Sequence, residues 1–192
     1  MRLHYLNTAA CCTVMDASAG FGSRDWPPCY DTRDRYSAMI RITTDENASK
    51  LILLIEDNTD DERLTLRALR RNNVMNEVIV ACDGQEALDY LRGENKFAGR
   101  DTTLLPSLIL LDLKLPKLSG VEVLRAIRAN DATRFTPVVV FTAREDDGQQ
   151  RECLLAGANS FVLKPSESEE YSERILELVM YWLLVHRAVS TG

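Results

Sequence analysis

The sequence predicts an α/β domain in which a doubly wound parallel sheet carries helices on both faces. Two observations carry that prediction. From residue 51 onward five short apolar runs recur, "LILLI", "EVIVA", "LILL", "PVVVF" and "SFVL", and a stretch with helical character follows each. The runs are also near-continuous, as strands buried on both faces must be. Strands alternating with helices, joined by right-handed crossovers, leave few other arrangements.

The first run, Leu51 to Ile55, ends in Glu56-Asp57-Asn58. "TDDERLTLRALRRNN" then sets Leu64, Ala68 and Leu69 at helical spacing, with acids in its first turn and arginines at its end. That charge order suits the helix dipole. The second run, Glu77 to Ala81, leads through Asp83-Gly84 into "QEALDYLRG", which stops at Gly93. Glu94 to Pro106 reads as a loop, longer than most helix-to-strand connections. "LILL" (Leu108 to Leu111) and the helix "GVEVLRAIRAN" follow, then Pro137 to Phe141 as a strand. "EDDGQQRECLLAG" is a helix closed by Gly157 and weakened by Gly148, and Ser160 to Leu163 is the last strand. The final helix is expected to begin at Ser166, with its hydroxyl as cap and Glu169 completing a capping box.

Residues 1–48 show neither period and bend at Trp26-Pro27-Pro28, so they read as a poorly ordered extension to a domain spanning 49–192. A faint export-like Ala17-Ser18-Ala19 is preceded by a stretch that Asn7 and Asp16 interrupt, and the expectation is a cytoplasmic protein. The net charge of −6 argues against a nucleic-acid or anionic-membrane surface, and no apolar run is long enough to span a bilayer. The five cysteines show no zinc-like spacing and read as free thiols.

Ligands of open parallel sheets bind at the carboxyl ends of the strands. The first strand delivers Glu56 and Asp57 there, the third Asp112, the fourth Thr142 and the fifth Lys164. The second, ending near Cys82-Asp83, offers less. Two unit charges 4 Å apart repel by about 4 kcal/mol at an effective dielectric of 20. Three carboxylates in one crevice therefore call for an offset. Mg2+ fits, being a hard ion that prefers oxygen and needs only one or two protein carboxylates. Lys164 adds a charge suited to a phosphoryl oxygen, and Thr142 a neutral donor. Asp112 so placed can act as a nucleophile towards a phosphoryl group. Gly120, opening the next helix, leaves room for backbone beside it, and Pro116 stiffens the loop between.

The segments "LLIEDN", "LILLDLKLP", "VVVFTA" and "GANSFVLKP" resemble the signature segments of response-regulator receiver domains of two-component signalling, with Thr142 and Lys164 standing 30 and 52 residues after Asp112. The resemblance runs over residues 50–187, and its wording is similar to small stand-alone receivers that serve phytochrome-type histidine kinases. It implies a flavodoxin-like sheet of order 2-1-3-4-5 and Asp112 as phosphoacceptor. Glu56, Asp57, Asp112 and the backbone carbonyl of Lys114 would hold Mg2+. Thr142 and Lys164 would bind the phosphoryl group, with Thr142 and Phe161 as the switch pair. Phe161 stands where tyrosine is common, so a switch there works by packing alone. A cis bond before Pro165 is implied as well.

The implied function is a phosphoacceptor response regulator without an output domain. It would be phosphorylated by a histidine kinase and would signal through a downstream protein or a phosphotransfer protein in a phosphorelay. It would not be an enzyme in its own right. The alternative is a Mg2+-dependent phosphohydrolase with an aspartyl nucleophile. Such enzymes usually place a second acid two residues on, where this chain has Lys114.

Plainer roles exist for each residue. Asp112 could close a turn, Glu56 and Asp57 could cap a helix, Thr142 could be a strand-end threonine, Phe161 core and Lys164 solvated. On the last helix Ile175, Leu178, Val179 and Trp182 form the stripe expected to face the sheet. Leu176, Met180, Leu183 and Leu184 widen it beyond the usual arc, which suggests a homodimer surface.

Overall fold

A computed structural model describes residues 51–143 and 146–185; the side chains of Leu184 and Val185 are not described. The extension expected at 1–48 lies outside the described residues. The strands are β1 (Ile52–Ile55), β2 (Val78–Ala81), β3 (Leu108–Leu111), β4 (Val138–Thr142) and β5 (Ser160–Leu163). The helices are α1 (Thr59–Arg71), α2 (Gly84–Arg92), α3 (Gly120–Ala129), α4 (Asp147–Leu155) and α5 (Ser168–Met180), the last continuing as a π-helical turn over Tyr181–Val185. All strands pair in parallel in the order β2-β1-β3-β4-β5.

Alternate residues of each strand feed two cores. Leu53, Ile55, Ile109, Leu111, Val138 and Val140 meet α2, α3 and Cys153 of α4 on one face. Ile52, Leu54, Leu108, Leu110, Val139 and Phe141 meet Ala68 and Leu69 of α1 and Tyr171, Ile175 and Val179 of α5 on the other. The central strands β1, β3 and β4 are buried throughout, which is why they read as unbroken apolar runs.

Register positions the site. Ile55 lies opposite both Ala81 and Leu111, so β1 and β3 end at the same level. The ladder runs one residue further, Asp112 N–H donating to the Ile55 carbonyl (3.0 Å) and Glu56 N–H to that of Ala81 (3.0 Å). Thr142 is paired with Leu163, so Lys164 emerges beside the end of β4.

Three expectations differ. Helix α5 starts at Ser168 with Glu167 as its N-cap and no side-chain cap bond, so the Ser166–Glu169 box does not form. Lys164 is still tied to the sheet, its N–H donating to the Thr142 carbonyl (2.8 Å), and the chain uses the next residues to turn away. A capping box appears instead at α3: Glu122 N–H donates to Ser119 Oγ (3.3 Å) and Ser119 N–H to Glu122 Oε2 (2.8 Å). The bond before Pro165 is trans, as is every other described peptide bond. On α5, Leu176, Met180 and Leu183 of the widened stripe are buried within the chain.

Candidate functional site

Asp112 leaves the end of β3 with its residue only 8% exposed. Its Oδ1 accepts the N–H of Leu113 (2.7 Å), which fixes the carboxylate at the rim of the sheet. Gly120 makes this possible: a Cβ there would lie 2.5 Å from the Asp112 carbonyl oxygen and 2.7 Å from Leu113 Cα. The first turn of α3 is thus pressed against the strand end.

Glu56 is buried, whereas Asp57 is exposed. Glu56 Oε1 accepts the Asn58 N–H (3.2 Å) and Oε2 receives Lys164 Nζ (2.6 Å). Oxygens of Glu56, Asp57 and Asp112 lie within 4.8 Å of one another. Burial pushes the Glu56 carboxyl up to about 7, with Lys164 opposing that rise. Three hard oxygen donors, one of them raised by desolvation, are a donor set that a divalent cation fits.

Lys164 Nζ stands 3.5 Å from Asp112 Oδ2, 2.6 Å from Glu56 and 2.8 Å from Asp61 Oδ2. Burial alone would lower this ammonium, but Asp112, Asp61 and Glu56 together drive it above the ordinary lysine range. Thr142 is buried at the end of the neighbouring strand. Lys114 lies on the loop after Asp112 with its side chain exposed. Phe161 is half-buried on the edge strand β5 and packs on the core that holds Ile109 and Val140.

Sequence reasoning missed two members of this neighbourhood. Asp61 was submerged in an acidic first turn, where Asp60, Asp61 and Glu62 look alike; only its position three residues past the Asn58 cap sets it facing the crevice. Tyr171, on α5, shares a hydrogen bond with Thr65 of α1 (2.8 Å) and donates a longer one to the Asp61 carbonyl (3.4 Å). Its hydroxyl is pushed up to about 12, mainly by burial. A second group, Cys82, Asp83 and Glu86, sits where β2 was expected to offer little. It is bridged by Lys117 to Asp83 and by Lys96 to Glu86.

The chain resembles characterised proteins over this same region. It is 38% identical over 133 residues to the probable methanogenesis regulatory protein FilR2 of Methanothrix harundinacea, covering 69% of this chain and 83% of that one. It is 30% identical over 142 residues to the response regulator Rcp1 of Synechocystis, covering 74% and 95%. The Mn(2+)-bound structure of Rcp1 matches with a TM-score of 0.67 at 29% identity, over 73% of this chain and 99% of that one. The phosphorylated cyanobacterial phytochrome response regulator RcpA matches with a TM-score of 0.68 at 33% identity, again over 73% and 99%. Among the described residues no helix is long and apolar enough to cross a membrane. A response regulator receiver domain model matches residues 52–176, and with the sheet order and the acidic crevice this places the chain in the receiver-domain family of two-component response regulators.

Proposed function

We propose that this chain is a cytoplasmic phosphoacceptor whose Asp112 takes a phosphoryl group from a histidine kinase, with Mg2+ held by Glu56, Asp57, Asp112 and the Lys114 carbonyl. The convergence of Asp112, Lys164 and the acidic pair at one sheet rim is the observation that supports it. Asp112 supplies the attacking carboxylate oxygen; the P–O bond forms as the donor's P–N bond breaks, and the imidazole leaves. Bound metal would neutralise charge on the equatorial phosphoryl oxygens. Lys164 needs a shift of under one ångström to move from ion-pair range into hydrogen-bond range of Asp112, so it can follow the phosphoryl group as it arrives. Thr142, buried at the end of β4, would donate its hydroxyl, and the half-buried Phe161 on β5 would repack in response. Slow hydrolysis would then reset the chain.

The kinase we infer is phytochrome-type, on the likeness to RcpA and Rcp1. The output would be a protein contact or onward phosphotransfer. A homodimer would meet at the β5 edge and the outer side of α5, where Tyr181 is 51% exposed. The domain boundary is taken at residue 49. Continuous phosphate-ester hydrolysis is disfavoured, because the position two residues after Asp112, where such enzymes usually place a second acid, holds the exposed Lys114.

The test is intact mass after incubation with acetyl phosphate and Mg2+, with Asp112→Asn in parallel. One phosphoryl group gained by the wild type alone is expected. No gain, or an equal gain in the variant, refutes the assignment, and sustained turnover of the ester would favour the hydrolase.

A further inference from the structure

Lys164 does not point squarely at the phosphoacceptor. Its side chain is 4% exposed, and its two hydrogen bonds go to Glu56 (2.6 Å) and Asp61 (2.8 Å), leaving Asp112 at 3.5 Å. The ammonium has three protons and is held towards α1. A phosphoryl group on Asp112 would present new anionic oxygens to that ammonium and draw it away from α1, stretching one of these two bonds.

Exposure decides which. The Glu56 side chain is 2% exposed, so water cannot take the place of its partner. The Asp61 side chain is 26% exposed and can be rehydrated when its ion pair breaks. Asp61 is therefore the contact that opens. It is also tied to α5: Tyr171, 2% exposed, reaches the Asp61 carbonyl and the fully buried Thr65. The Tyr171 ring stacks edge-on against Phe141 at 5.2 Å, and Lys164 lies 5.9 Å above the same Phe141 ring. One lysine thus joins the strand ends to the contact between α1 and α5.

We propose that Asp61 is a positioning residue that holds Lys164 back from Asp112 in the unphosphorylated chain. When Asp112 is phosphorylated the ammonium leaves Asp61, and the first turn of α1 loosens against Tyr171 of α5. This rests on the phosphoacceptor reading above and adds a second route for the signal, through α1 and α5, beside the one through Thr142 and Phe161.

The experiment combines phosphorylation rates at saturating Mg2+ with hydrogen exchange on the full chain. Asp61→Asn frees the lysine, and phosphorylation by acetyl phosphate is expected to quicken roughly fivefold, the scale of one partly exposed ion pair. Asp60→Asn removes the same charge one residue away, from a side chain 84% exposed, and should change the rate less than about twofold. In the wild type, exchange across residues 59–65 and around Tyr171 should rise on phosphorylation. In unphosphorylated Asp61→Asn it should already be raised. Lys164→Met should raise it similarly, and the double variant no further.

An equal rate effect from Asp60→Asn makes the role one of charge alone and overturns the proposal. So does phosphorylation of the wild type with no change of exchange in either segment, a result that stands even if a variant fails to fold. Absence of wild-type phosphorylation overturns this proposal together with the reading beneath it, whereas phosphorylation with unchanged α1 and α5 overturns this proposal only.

Discussion

Gly120 shows how closely the site is built into the backbone. With 2.5 Å between a hypothetical Cβ and the Asp112 carbonyl, Gly120→Ala must push α3 away from β3 or shift the aspartate itself. Overpacking of this kind costs about 1–3 kcal/mol. The expected outcome is a lower denaturant midpoint together with slower phosphorylation; a variant with unchanged midpoint would mean that the helix moves freely. The glycine was legible in the sequence because it opens a helix just after the aspartate. Asp61 was not. Three adjacent acids at a helix start are explained by the dipole alone, and only the three-dimensional crossing of α1 over the strand ends separates the one that reaches Lys164 from its neighbours.

At the scale of elements, α2 is held by its first turn. Asp83 caps it, accepting the Glu86 N–H (2.8 Å), and its other oxygen meets Lys117, a residue at φ +67° on the loop after β3. Burial would raise the Asp83 carboxyl, but the Lys117 ammonium and the N–H groups of Glu86 and Gln85 outweigh it and hold it below the ordinary range. Since the folded value is depressed, the stabilisation is fully present above the unfolded value, near pH 4, and is lost as pH falls through the folded value. Unfolding midpoints measured between about pH 2 and 6 should show a shallower acid loss in Asp83→Asn than in the wild type. Equal slopes would assign that loss to other carboxylates. The strands and helices themselves were readable because burial on two faces leaves continuous apolar runs and because α1 carries its charges in dipole order. The start of α5 was misread: Ser166 and Glu169 have the spacing of a capping box, but the tie between Lys164 and Thr142 delays the helix to Ser168. Local spacing cannot show that constraint, since it comes from a strand more than twenty residues earlier.

Across the whole molecule, the crevice gathers Glu56, Asp57, Asp61 and Asp112 around one buried lysine. Four carboxylates about one ammonium leave that rim net negative, and a cation that binds only the folded chain stabilises it by mass action. At Mg2+ near 100 times its dissociation constant the gain is about 2.7 kcal/mol. The thermal midpoint should rise by several degrees over a sample in EDTA, and Asp112→Asn should blunt the rise. No shift in the wild type would mean that the rim does not hold the ion.

The helices are unequally fastened to the sheet. Helices α1 and α5 pack on one side with several buried residues each, and α3 sinks five residues on the other. Helix α4 buries Cys153 alone and leaves Leu155 79% exposed. Such a helix can peel away at the cost of one buried side chain while the sheet, the other helices and the acidic rim stay in place, so local opening at α4 should precede any global unfolding. Cys153, fully covered while α4 is seated, would then become reachable by a thiol reagent, and its rate of capture would count those openings directly.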